Sequence, residues 1–230
     1  MPDFELEKKA GGIVAGVDEA GRGPWAGPVV AAAAVLDPKT LPQILESRLD
    51  DSKKLSAKIR ADLFCALGSC AQIGIGTASV VEIDTHNILA ATMLAMRRAV
   101  LNLPVSPGHA LVDGNQPPEL PCYVQTIVGG DALSLSIAAA SIVAKVTRDQ
   151  IMTKLALKHP GYGWERNAGY GTKAHREGLE RLGVNKHHRR KILFCPNLRN
   201  FFHNACEARS RINTKRRGIS KGCPYKRKII

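Results

Sequence analysis

The chain has 230 residues, which is enough for one well-buried domain of ordinary size with an appendage. Its 33 Lys and Arg against 20 Asp and Glu give a net charge of +13, which indicates a polyanionic partner. The acidic start of the chain excludes a standard signal peptide, and no apolar run reaches the ~20 residues that span a bilayer. The six cysteines have neither metal-ligand nor paired spacing, so they predict reduced thiols in a cytoplasmic protein.

The first half of the chain alternates strand and helix signals. Short runs rich in Val and Ala predict strands at 13–17 and 28–36 that are buried on both faces or closely covered by helices. A helix is predicted at 56–67, and a glycine-containing strand follows at 72–77. The segment 79–103 opens with capping-box spacing and carries apolar residues at helical intervals, which predicts a further helix.

Two more strands are predicted in the second half, and an acidic residue lies at or just beyond the end of each. Asp113 follows the strand at 109–112, and Asp131 follows the strand at 122–128. In an open sheet, ligands bind beyond the ends of the strands. These two aspartates are therefore candidate site residues, although a single aspartate before a glycine is more often a turn residue.

The last predicted helices lead to a basic tail. Residues 134–158 have a small-residue face that would pack closely on the sheet, and Thr172 is a candidate N-cap for a helix that ends at Gly183. With no internal repeat or linker, residues 1–196 are predicted to form one domain. Residues 197–230 hold ten Lys and Arg against one acid, or +9 of the +13 net charge. Their low apolar content predicts a disordered tail, and a nucleic-acid-binding arm is the alternative.

Two adjacent carboxylates, Asp18 and Glu19, follow the first predicted strand and precede Gly21-Arg22-Gly23. Where a strand gives way to a glycine turn, both carboxyl groups can converge on one site. Carboxylate oxygens are the ligands that Mg²⁺ prefers. The pair alone could also be an exposed acidic turn, but the glycines and the arginine place bare amides and a guanidinium beside the acids, which favours a site.

Six motifs occur in order along the chain: Asp18-Glu19-Ala20-Gly21-Arg22-Gly23-Pro24, Asp51-Ser52-Lys53-Lys54-Leu55, Val112-Asp113-Gly114-Asn115, Gly130-Asp131, the run from Ser136 to Asp149, and Gly169-Tyr170-Gly171-Thr172-Lys173-Ala174-His175. On these motifs, the sequence from about Ile13 to Pro196 resembles ribonuclease HII, of the type 2 ribonucleases H. The resemblance implies an α/β fold of the ribonuclease H-like kind, with a central mixed sheet flanked by helices and extra helices at the C-terminal end.

The resemblance also implies a metal site. The family's carboxylates correspond to Asp18, Glu19, Asp113 and Asp131, which would hold two divalent cations, Mg²⁺ or Mn²⁺. Asp18 would bridge both cations, Glu19 and Asp113 would bind one, and Asp131 the other. Four clustered carboxylates cannot all remain ionised without a counter-charge, so the metal-free site should hold a proton or bind metal.

The substrate-binding residues implied by the resemblance are two glycine-flanked groups and several cations. Gly21, Arg22 and Gly23 would recognise the ribose through main-chain amides, and the alternative is that they form only a tight turn. Tyr170 would pack against a sugar, and the alternative is that it is an ordinary aromatic residue of a loop. The candidate phosphate contacts are Lys53, Lys54, Lys145 and Arg148. Arg189 and Arg190 are in the same class, but the sequence departs from the family's pattern directly after them, at Lys191-Ile192.

The implied function is metal-dependent cleavage of the RNA strand of RNA–DNA hybrids, and of duplex DNA on the 5′ side of embedded ribonucleotides. The products would be a 3′-hydroxyl and a 5′-phosphate, and the roles would be ribonucleotide excision repair and primer clearance by a cytoplasmic monomer. Two alternatives are the sister family ribonuclease HIII, which carries an additional N-terminal domain and lacks this Gly-Arg-Gly, and a non-catalytic nucleic-acid-binding module.

Overall fold

The computed structural model describes residues 1–50, 52 and 55–193. The predicted basic tail, 197–230, and the candidate phosphate contacts Lys53 and Lys54 lie outside the described residues. No helix within the described ranges is both long and apolar enough to cross a membrane.

One sheet organises the described part of the chain. Its strands are β1 (Val14–Ala20), β2 (Val29–Val35), β3 (Gln72–Ala78), β4 (His109–Asp113) and β5 (Tyr123–Ile127). The helices are α1 (Glu5–Ala10), α2 (Gln43–Glu46), α3 (Ala57–Cys70), α4 (Val80–His86), α5 (Ile88–Leu101), α6 (Leu135–Lys158), α7 (Trp164–Asn167), α8 (Lys173–Leu182) and α9 (Arg190–Leu193), with a 3₁₀ turn at Gly130–Ala132.

The sheet is mixed, as predicted, and its strand order is β3-β2-β1-β4-β5. β2 runs antiparallel to both β1 and β3, whereas β4 runs parallel to β1 and β5 runs parallel to β4. The last registered pair of β1 and β4 is Val17 with Val112. Asp18 and Asp113 are the next residues of the two strands, so the parallel register brings them to the same end of the sheet.

Helices cover both faces of the sheet, and the four alanines in the middle of β2 allow close packing on each side. Ala32 and Ala34 pack in the cluster formed with α3 and α6, while Ala31 and Ala33 pack in the cluster formed with α5. α6 lies so close to β1 that a Cβ on Gly16 would be 2.1 Å from the main chain of α6. The predicted close approach of α6 to the sheet is therefore confirmed.

The helices begin where the sequence predicts, but one of them is interrupted. Ser79 and Glu82 form the predicted capping box at the start of α4. The single helix predicted at 79–103 is wrong, because Asn87 adopts a φ of 86° and separates α4 from α5. The Asn87 side chain then accepts a hydrogen bond from the Ala90 amide and so caps α5.

The C-terminal helices form a separate apolar cluster beside the sheet. Trp164, Leu179 and Leu193, from α7, α8 and α9, pack with Met152 of α6 and with Ala26 from the turn after β1. This confirms the extra C-terminal helices implied by the sequence. The cluster also places the loop before α8 against the turn between β1 and β2.

Candidate active site at the end of β1 and β4

β1 continues through both adjacent acids to Ala20, whereas the sequence predicted that the strand ends before them. Asp18 pairs with Ala32, which faces α6, and Glu19 pairs with Ala31, which faces α5. Since successive side chains of a strand point to opposite faces, the two carboxyl groups leave β1 in different directions. The predicted glycine turn therefore begins only after both acids, and the prediction that their carboxyl groups share one site stays a prediction.

Asp18 lies on the α6 side and is 5% exposed. Its Oδ1 accepts a hydrogen bond from the Glu19 amide at 2.7 Å, and its carboxylate is also hydrogen-bonded to Ser141 of α6. The Ser141 hydroxyl is in turn 2.8 Å from the hydroxyl of Ser52. Ser141 therefore connects the buried acid to Ser52, a role that its small size in the sequence did not indicate.

Asp113, the last residue of β4, connects to the fourth candidate acid through the main chain. Its Oδ1 accepts a hydrogen bond from the Gly130 amide at 2.8 Å. Gly130 begins the 3₁₀ turn that contains Asp131, whose residue exposure is 6%. This bond fixes the turn after β5 to the end of β4.

Burial, more than mutual repulsion, sets the electrostatics of the acids in the site. Burial raises the pKa of Asp18 well above its usual value, and the negative charges of Glu19 and Asp113 raise it further. Burial also raises the pKa of Glu19; the Arg22 guanidinium, 3.5 Å from its Oε1, opposes this rise, and Asp113 adds to it. The acids therefore attract a proton or a cation, and an oxygen donor set of this charge fits a hard divalent cation.

The structure brings three of the predicted metal ligands within electrostatic reach of one another: Asp18, Glu19 and Asp113. Within residues 1–50, 52 and 55–193, no three His, Cys, Asp or Glu side chains are grouped closely enough to hold a metal ion.

The predicted ribose-reading residues lie next to each other. Gly21 has a φ of 97°, a left-handed conformation that favours glycine, and it starts the turn directly after β1. A Cβ on Gly23 would be 3.5 Å from the ring of Tyr170, so the turn faces this tyrosine. Tyr170 is 47% exposed, and Arg22 and Gly23 are exposed as well. The three together offer amides, a guanidinium and an aromatic ring to solvent.

A chain of neutral side chains holds the main chain of Tyr170. The Trp164 indole N–H donates to His175 Nε2 at 3.1 Å, and an indole can only donate, so this nitrogen is an acceptor. His188 Nε2 lies 3.2 Å from the same nitrogen, and His188 Nδ1 lies 3.0 Å from both the amide nitrogen and Oδ1 of Asn185. The remaining proton of His175 lies on Nδ1, which donates to the Tyr170 carbonyl at 2.9 Å.

Of the predicted phosphate contacts in the described residues, Lys145 and Arg190 are accessible, whereas Arg148 and Arg189 are buried. Lys145 is partly exposed, and its ammonium is 2.8 Å from Asp149 in an ion pair along α6. Arg148 is 1% exposed, and its guanidinium donates to the carbonyls of Ala26, Pro28 and Ala168. The prediction that Arg148 contacts phosphate directly is wrong, because the main chain already encloses its donors.

Comparisons with known proteins agree with this geometry. The family model for ribonuclease HII matches residues 15–195. A ribonuclease HII from Paramagnetospirillum magneticum is 62% identical over 192 residues, which cover 84% of this chain and 96% of the relative. A ribonuclease HII from Granulibacter bethesdensis is 60% identical over 191 residues, which cover 82% of this chain and 87% of the relative.

Solved structures show the same fold. The chain is similar to ribonuclease H2 from Pyrococcus horikoshii OT3, with a TM-score of 0.71 at 29% identity over 84% of this chain and 98% of that chain. The RNase HII of Archaeoglobus fulgidus, solved in complex with PCNA, has a TM-score of 0.64 at 26% identity over 77% and 93% of the two chains. With the family model matching most of its length, the chain belongs to the ribonuclease HII family.

Proposed function

We propose that this member of the ribonuclease HII family, an endoribonuclease for the RNA of RNA–DNA hybrids, depends on divalent metal and also cleaves duplex DNA on the 5′ side of embedded ribonucleotides. One observation carries the proposal. Asp18 is buried with a raised pKa beside Glu19 and Asp113, directly before a glycine turn that faces an exposed tyrosine. Such an arrangement of perturbed acids beside a substrate surface is typical of a catalytic site.

The proposed metal ligands are Asp18, Glu19, Asp113 and Asp131, and the proposed cofactor is Mg²⁺ or Mn²⁺, with two ions per site. The fit rests on the chemistry of the donors, because burial and mutual repulsion raise the pKa values of Asp18 and Glu19 and a cation would relieve both effects. When bound, divalent cations activate water and neutralise the charge on phosphate oxygens.

The residues around the acids orient the substrate. The main-chain amides of Gly21 and Gly23, free of side chains, can approach a ribose 2′-hydroxyl, which is the group that distinguishes RNA from DNA. Tyr170 packs against the adjacent sugar, and Lys145 contacts a backbone phosphate. Because water rather than the ribose 2′-oxygen is the proposed nucleophile, the products are a 3′-hydroxyl and a 5′-phosphate.

Cleavage of matched duplexes tests the proposal. Duplexes with zero, one or four ribonucleotides are incubated in Mg²⁺, in Mn²⁺ and in EDTA, and the cut positions and product ends are mapped. We expect cleavage only with metal and only of the ribonucleotide-containing duplexes, on the 5′ side of the lone ribonucleotide. A 2′,3′-cyclic phosphate would rule out water as the nucleophile, and equal cleavage of the all-DNA duplex would remove the role given to Gly21, Gly23 and Tyr170.

The proposed cellular role is removal of ribonucleotides and primers from DNA in the cytoplasm by a monomer with residues 1–196 as its catalytic domain. If the protein binds these duplexes but cleaves none of them with either metal, the alternative of a non-catalytic nucleic-acid-binding module replaces this proposal. Light scattering of the purified chain tests the monomeric state.

A further inference from the structure

Arg189 is a fully buried cation that the proposed chemistry does not use. Its residue exposure is 0%, and its guanidinium lies beneath the turn between β1 and β2. Nε donates to the Gly27 carbonyl at 2.9 Å and Nη1 to the Arg22 carbonyl at 2.8 Å. Nη2 donates to the carbonyls of Gly21 at 2.6 Å and Pro28 at 3.1 Å. One side chain therefore holds both ends of the turn that follows β1.

Arg148 extends this support to the tyrosine loop. Its Nε and Nη2 donate to the carbonyls of Pro28 and Ala26, at 3.1 and 3.2 Å. Its Nη1 donates to the Ala168 carbonyl at 3.0 Å, two residues before Tyr170. The turn and the tyrosine loop thus share one buried guanidinium, in addition to a direct hydrogen bond from the Trp25 amide to the Gly169 carbonyl.

The two arginines bury positive charge, and their hydrogen-bond partners within the described residues are main-chain carbonyls. Burial lowers the pKa of Arg189 to about 9, and the neighbouring charge of Arg148 contributes to this shift. Burial likewise lowers the pKa of Arg148. Placing like charges together in the interior is unfavourable, so the carbonyl geometry must compensate for it. The planar fork of arginine supplies donors in several directions at once, which a lysine ammonium cannot do over the same span.

We propose that Arg189 and Arg148 are positioning residues that fix Gly21-Arg22-Gly23 against Tyr170, so that discrimination for ribose depends on two side chains that never touch the substrate. This inference rests on the proposed function of the turn and the tyrosine. The carbonyls of Gly21 and Arg22 point to Arg189, which sets the orientation of the peptide groups at the turn. Small misplacements of such groups reduce rates by roughly 100-fold.

Charge-conserving variants provide the test. Arg189→Lys and Arg148→Lys keep the positive charge but lose most of the carbonyl contacts. Arg97→Lys is the matched control, because Arg97 is an exposed arginine on α5 to which no role in binding or catalysis is assigned. For each folded variant, the affinities for a duplex with one ribonucleotide and for the same all-DNA duplex are measured in EDTA over a salt series, and kcat and KM are measured in Mg²⁺.

We expect both variants to lower the preference for the ribonucleotide duplex by roughly tenfold and kcat by roughly 100-fold, while Arg97→Lys changes neither. The salt dependence should stay the same, whereas loss of a phosphate contact would reduce its slope by about 0.9. A merely structural arginine would reduce melting temperature and active fraction but leave the preference of the folded enzyme unchanged.

Three outcomes would overturn the inference. The first is an unchanged preference and kcat in folded Arg189→Lys and Arg148→Lys. The second is a reduced salt slope with the preference intact, which would assign the arginines to phosphate binding. The third is failure of both variants to fold, which would assign the pair to stability alone. If wild-type protein shows no preference for ribonucleotides, the proposed function fails instead, so the two failures are distinguishable.

Discussion

Two regions of the molecule bury charge but compensate it differently. One is the shared end of β1 and β4, and the other, here called the loop block, consists of residues 21–28, 168–175 and 187–189. At the strand ends, Asp18 is buried beside Glu19 and Asp113, and each neighbour makes its ionisation less favourable. In the loop block, the donors of Arg189 have carbonyl partners at hydrogen-bonding distance on both sides of the turn.

This difference distinguishes buried charges that can bind a ligand from buried charges that only support the fold. Buried acids that repel one another can bind a cation. Their repulsion lowers the free energy of unfolding of the metal-free protein, and cation binding raises it again. A guanidinium that is fully buried against main-chain carbonyls is out of reach of a ligand, so it acts on the substrate only through the loops that it holds. We expect variants of the two regions to fail in different ways.

The largest effect should follow from removing charge at the strand ends. Asp18→Asn and Asp113→Asn keep the side-chain shape but remove charge from the proposed metal ligands, so cleavage should fall by roughly 1,000-fold or more while duplex binding persists. Exposed Asp62→Asn on α3 is the control and should cleave normally. Substantial Mg²⁺-dependent turnover in either active-site variant would remove that residue from the metal site.

The next effect concerns acid stability of the loop block. Burial, with the charge of His175 adding, lowers the pKa of His188 to about 3 from its usual 6.5. Because the folded pKa is below the unfolded one, this stability is fully present above pH 6.5 and is lost as the pH falls towards 3. One proton corresponds to about 1.4 kcal/mol per pH unit in the free energy of unfolding.

Urea unfolding between pH 7 and pH 4 measures this slope. His188→Gln removes the titrating ring but keeps an amide donor towards His175, so its stability should fall less steeply with acidification than that of the wild type. His86→Gln, on the exposed end of α4, should keep the wild-type slope. Equal slopes in all three proteins would show that the histidine chain does not link the loop block to pH.

In metal-free protein, we expect Asp18 to make a smaller contribution to the pH dependence of stability, opposite in sign to that of His188. Its pKa is raised above the usual 3.8, so its charge destabilises the fold at neutral pH, and this penalty disappears as the pH falls through the raised pKa. Asp18→Asn should therefore raise the melting temperature in EDTA at pH 8 by roughly 2–4 °C, with a smaller gain in acid. A melting temperature below that of the wild type at pH 8 would contradict the electrostatic account.

The smallest effect is expected from the basic tail, residues 197–230. Its +9 charge would add to the salt dependence of duplex binding only if it contacts phosphates, and its low apolar content argues against a fixed contact. Deletion of 197–230 should leave the salt slope and the cut position unchanged. A slope that falls by several units for every duplex would identify the tail as a binding arm.

Local patterns in the sequence determined much of this protein. The strand signals placed Asp113 at the end of β4, the Ser79 and Glu82 spacing determined the start of α4, and Thr172 marked the start of α8. These features depend on neighbours in the chain, so they can be read without the fold. The order of the six motifs likewise indicated the family, because the order of motifs along a chain can be seen in the sequence alone.

Only the tertiary structure decided how the charged residues act. Pairing of β1 with β2 extends the strand through Asp18 and Glu19 and sends their side chains to opposite faces. Arg148 and Arg189 resemble phosphate contacts in sequence, yet long-range packing places both beneath the turn, where carbonyls bind them. The burial and partners of a charge come from distant segments, and it is these that determine whether a basic residue binds a ligand or supports a loop.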